Sequence, residues 1–168
     1  MVAATLTELN TWFNEPGLSL DRTNLLSKLA TLELCGWLEG EFDRLVRLVA
    51  QGRIVNTSWV ESEVIKKTHG FKYEQHWRPM LCKVVGEMFA CKVEIAMDAA
   101  HPGDVPQMNS ILNQLWTIRC SFAHADLHAN RNSQLTFNAP SIAISHFNQL
   151  SSILTRYEAV LVATMPNP

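Results

Sequence analysis

Residues Arg119-Cys120-Ser121-Phe122-Ala123-His124 set a guanidinium and an imidazole five positions apart, near the end of a strongly apolar helical pattern. The guanidinium is a permanent cation whose planar fork grips phosphoryl oxygens. The imidazole, with an unperturbed pKa of roughly 6.5, takes or gives a proton near neutrality. Brought to one pocket, the two form a minimal kit for cutting RNA without a metal.

A single straight helix does not bring them there. At about 100° per residue, side chains five apart point about 140° away from each other. Arg119 falls at the margin of the stripe carrying Leu112 and Leu115, and His124 falls beyond the opposite margin. Either the helix ends before His124, or a second copy of the chain supplies the missing partner across a two-fold axis. Without catalysis, Arg119 would snorkel to a carboxylate such as Glu33, Glu39 or Glu94, and His124 would cap the helix C-terminus.

The elements that must carry the motif read as helical nearly throughout. A short helix over 4–13 stops at Glu15-Pro16-Gly17. A long one, from about 20 to 51, carries Leu38, Phe42, Leu45 and Val49 on one face, with Gly36 and Gly40 marking a bend or a close approach. Ser58 and Glu61 read as a capping box for a helix ending near Gly70. Tyr73 to Trp77 add a turn. Pro79 sits in the first turn of a helix running to about Ala99, its core face made by Leu81, Val84, Val85, Met88 and Phe89. Asp104 and Gln107 read as a second box, opening a helix with Met108, Ile111, Leu112, Leu115, Ile118 and Phe122 inward. A polar loop from Asp126 to Asn138 follows. The last helix repeats Ala143, Phe147, Leu150, Leu154, Tyr157 and Leu161 at steps of three and four. No alternating strand pattern competes. The expectation is an all-α antiparallel bundle of four to five main helices in one domain over 1–168, with an N-terminal arm (1–17) and a tail (165–168).

The segment LWTIRCSFAHAD resembles the Arg-x4-His signature of HEPN domains, which are small helical bundles. The place of the motif, after a long helix and before a last amphipathic one, is similar as well. The specific likeness covers about a dozen residues and the helix order covers most of the chain. The resemblance implies a homodimer in which two motifs face each other and cleave RNA, with Arg119 and His124 catalytic and no metal or other cofactor. His124 would assist attack of the 2′-hydroxyl on phosphorus or protonate the leaving 5′-oxygen, while Arg119 holds the phosphoryl oxygens. The products would be a 2′,3′-cyclic phosphate and a 5′-hydroxyl. Cys120, Ser121 and Asp126 are the supporting, substrate-orienting candidates. Cys120 stands where the family usually has a polar residue, often asparagine, and a thiol is a weaker donor and acceptor. The resemblance further implies a toxin or defence effector restrained by an inhibitory partner protein. The rival expectation is a non-catalytic helical binding or assembly module.

Composition bounds these readings. Of 168 residues, 47% are hydrophobic and 18% charged, which describes a globular chain. A net charge of −2 gives no general attraction to nucleic acid, so RNA contact must be local. The cysteines Cys35, Cys82, Cys91 and Cys120 form no CxxC pair and no secretory leader precedes them; the expectation is a cytoplasmic chain with reduced thiols, mostly small core residues. No apolar run approaches the roughly 20 residues that span a membrane. Zinc on Cys120, His124 and His128 is disfavoured because no second ligand cluster exists. Lys66, Lys67, His69 and Lys72 read as a solvated face, with an RNA-tracking patch as the lesser alternative. The five tryptophans read as core or interface. Walker, GxGxxG and GxSxG elements are absent, which excludes the hydrolases built on them.

Overall fold

The computed structural model describes residues 2–51, 56–123 and 138–165. Among them the chain is all-α, with no strand. In order come α1 (Val2–Phe13), α2 (Leu20–Ala50), α3 (Thr57–Trp59), π-helical stretches at Val60–Ile65 and Tyr73–Trp77, α4 (Arg78–Val85), α5 (Glu87–Ala100), α6 (Asp104–Ala123) and α7 (Pro140–Thr164). The four elements longer than 12 residues, α2, α5, α6 and α7, are the main helices of the expected bundle.

The chain divides into two compact units. One comprises Met1–Trp37 and Gln114–Gln149; the other comprises Leu38–Asn113 and Leu150–Pro168. In the first, Leu6 and Leu9 of α1 are buried. They share the interior with Ala30 and Leu34 of α2, Leu115 and Phe122 of α6, and Ala143 of α7. Trp37 and Phe147 meet edge to face, with ring centroids 4.8 Å apart, a geometry the aromatic quadrupoles favour.

In the second unit, Trp77 is the centre of the apolar packing. It stacks on Phe42 at 4.8 Å and meets Tyr157 edge to face at 5.8 Å. Arg78, one residue on, turns its fork to two carboxylates of α5. Its Nε donates to Glu94 at 2.8 Å, and its Nη2 to Glu87 at 2.5 Å. The Tyr73 hydroxyl also donates to Glu94, at 3.0 Å. These charge-assisted bonds tie the start of α4 to α5.

Several expected boundaries move. The helix expected from Pro79 to Ala99 is two, because Gly86 at φ 83°, ψ 157° leaves the helical region and ends α4. The break re-aims α5: Met88, expected in the core, is 76% exposed. The cap before Trp59 is Asn56 rather than Ser58; its Oδ1 accepts from the Trp59 N–H at 3.1 Å. Glu61, the other half of the expected box, is held instead by Arg47 at 2.6 and 3.0 Å. Gly36 and Gly40 mark no close approach within the protomer. Both lie inside α2, exposed, and an added Cβ would meet nothing within 4 Å.

Candidate functional site

The last two turns of α6 carry the described part of the Arg-x4-His motif. Leu115 and Phe122 face the interior and fix the rotation of this stretch about its axis. That rotation leaves Arg119 half-buried at the edge of the apolar stripe, as its spacing implied. Its guanidinium carbon lies 5.7 Å from the centroid of the Trp116 ring, one turn earlier. A cation over an indole face at this distance is attracted by the ring quadrupole and keeps its charge. Arg119 therefore enters the site as an oriented cation.

The helix end is pinned from a second direction. Lys28 of α2 sends its ammonium to the Phe122 carbonyl at 3.2 Å and stands 5.9 Å from the Phe122 ring. Phe122 is one residue from the end of α6 as described, where the helix dipole favours a cation. Sequence reading passed over Lys28, since a contact spanning 94 positions leaves no local signal.

The supporting candidates fare differently. The Ser121 hydroxyl donates to the Ile118 carbonyl at 2.6 Å, so its proton is committed to its own helix and only its lone pairs face outward. Cys120 is exposed, contrary to the expectation that the cysteines are mostly core. Only Cys35 is buried; Cys82 and Cys91 are half-buried beside Arg78 and Glu87. Burial and the bond to Glu87 push the Cys82 thiol up to about 11, away from nucleophilic use. His124 and Asp126, with the polar loop and His128, lie outside the described residues. Among those that are described, no group of three or more His, Cys, Asp or Glu side chains could hold a metal ion.

One further imidazole belongs to this unit and was missed. His146 of α7 is half-buried; its Nδ1 is inaccessible and has no hydrogen-bond partner among the described residues. Burial alone holds its pKa below the usual value. A signal was present: His146 sits three after Ala143 and four before Leu150, on the buried stripe.

The other basic candidates lie at the surface. Lys67 pairs with Glu63, and Lys66 and His69 are exposed, so this run is a solvated face. Of the carboxylates considered for Arg119, Glu94 is taken by Arg78 and Tyr73. No described helix is long and apolar enough to cross a membrane. No family model, no curated protein and no solved structure matches this chain.

Proposed function

We propose that this chain is a metal-independent endoribonuclease of the HEPN type, acting as a homodimer through Arg119 and His124. The observation that carries the reading is Arg119 itself: a half-buried cation held on Trp116, at a helix end that Lys28 pins. A charge-stabilising group must be oriented before the reaction if it is to act on the transition state. The likeness of LWTIRCSFAHAD to the family signature supports the pairing with His124.

In this mechanism the 2′-hydroxyl attacks the adjacent phosphorus as an imidazole takes its proton. The bond to the 5′-oxygen breaks, and a proton returns to that oxygen as it leaves. The Arg119 fork holds the non-bridging oxygens, where charge builds up. The cyclic phosphate keeps both the 2′- and 3′-oxygens, so DNA is not a substrate. All four cysteines are free thiols, which suits a cytoplasmic protein. A toxin or defence role, restrained by an inhibitory partner protein, follows from the same family likeness.

The test uses labelled single-stranded RNA in EDTA. Wild-type protein should cut it to 2′,3′-cyclic phosphate ends, and Arg119→Ala and His124→Ala should each lose roughly 100- to 1,000-fold in rate. Absence of cutting by well-folded wild type would select the second reading, a helical assembly module. That reading is favoured by the exposed Cys120 and by the outward leucines of α2.

A further inference from the structure

The first half of α2 is apolar on two opposite faces. One faces the interior through Ser27, Ala30, Thr31 and Leu34, all buried. About 180° around the helix, Arg22, Leu25, Leu29, Leu32 and Gly36 recur at steps of three and four, within an arc of about 80°. Leu25, Leu29 and Leu32 are 50%, 42% and 38% exposed. A surface helix normally turns charge to water opposite its core face, and a helix apolar on both sides is usually covered on both.

The geometry points to a second copy of this chain as the cover, its α2 lying antiparallel across a two-fold axis at the level of Ser27. Under that one operation Arg22 and the three leucines of the stripe find suitable partners. Leu25 meets the partner's Leu29, and Leu29 the partner's Leu25. The aliphatic stem of Arg22 covers the partner's Leu32.

Charge agrees with the register. Arg22 and Glu33 lie on the same edge of the stripe, about 20° apart around the helix. Neither side chain has an ion-pair partner among the described residues. The two-fold brings Arg22 to within about one residue rise of the partner's Glu33, and repeats the pair on the other side of the axis. A foreign helix has no reason to satisfy all these positions under a single symmetry operation.

The inference deepens the dimeric reading above and rests on it only for the consequence at the motif. Lys28 lies one residue from the axis level, on the opposite edge, and holds the Phe122 carbonyl. The dimer therefore brings both α6 ends, with their arginines, beside the shared axis.

The experiment is sedimentation of the full chain at micromolar concentrations. Wild type should sediment as a dimer, and Leu25→Glu with Leu29→Glu as a monomer of unchanged helical circular dichroism. Arg22→Glu and Glu33→Arg, each placing like charges across the axis, should weaken the dimer at least about tenfold, and the two together should restore it. These two positions are exposed, so their readout survives even if the leucine variant fails to fold. A monomeric wild type overturns the proposal, and so does a dimer indifferent to the swaps. RNA cleavage by the same samples separates the claims. A cutting dimer that ignores the swaps sinks this face alone, whereas a swap-sensitive dimer that never cuts sinks the nuclease alone.

Discussion

Burial acts on His146 through the cost of charging an imidazole away from water. Its folded pKa lies below the unfolded value of roughly 6.5, so the unfolded chain binds the proton more readily. The contribution to stability is therefore complete above pH 6.5 and falls as the pH drops through the interval down to the folded value. Denaturant melts of wild type and His146→Gln, compared from pH 7.5 to 5, should show the stability gap shifting in favour of the variant on acidification. A constant gap would mean that His146 titrates alike in both states. At this scale the sequence was partly legible. Spacing put Arg119 at a stripe margin and there it sits, because helix geometry alone decides that. The cysteines were misjudged for the opposite reason. Cys82 and Cys91 are drawn to a guanidinium and a carboxylate brought together by the turn at Gly86, and no local pattern announces such a cluster.

Between Val85 and Glu87 the chain leaves the helical region at one residue, and Gly86 permits it. At φ 83°, ψ 157° a Cβ is strained by its own backbone, although the space around it is open. Gly86→Ala should thus cost about 1–3 kcal/mol. That is a drop in melting temperature of about 2–12 °C for a chain of this size. Gly40→Ala is the control, since it adds the same methyl in open space at a helical position; it should stabilise by roughly 0.5–1 kcal/mol. Equal effects in differential scanning calorimetry would mean that α4 and α5 do not depend on the glycine conformation. α2, α6 and α7 could be read from sequence because a period near 3.6 persists over many turns in each. The break at Gly86 could not, since the apolar pattern runs through it. The π-helical stretches were illegible too. At 60–65 the Lys66 N–H reaches five residues back to Glu61, a register set by tertiary packing of Val60, Val64 and Ile65.

At the scale of the whole molecule, the net charge of −2 and the placing of the cations limit how RNA can be held. Arg44, Arg47, Arg78, Arg156 and Lys67 are each paired with a carboxylate, so these cations have little charge left for phosphates. Under the proposed function, the cations beside the axis are Arg119 and Lys28 from each of two protomers. A single strand that neutralises about four phosphates gives a slope of about −3 in log K against log salt. Binding should therefore be local and only moderately sensitive to ionic strength, and selectivity must come from the 2′-hydroxyl and the bases. Fluorescence anisotropy of labelled single-stranded RNA with the His124→Ala protein, which binds without cutting, measures that slope directly. A slope nearer −7 would require about ten contacts, more than the cations beside the axis supply. The Arg119 pocket would then not be where most of the binding free energy arises.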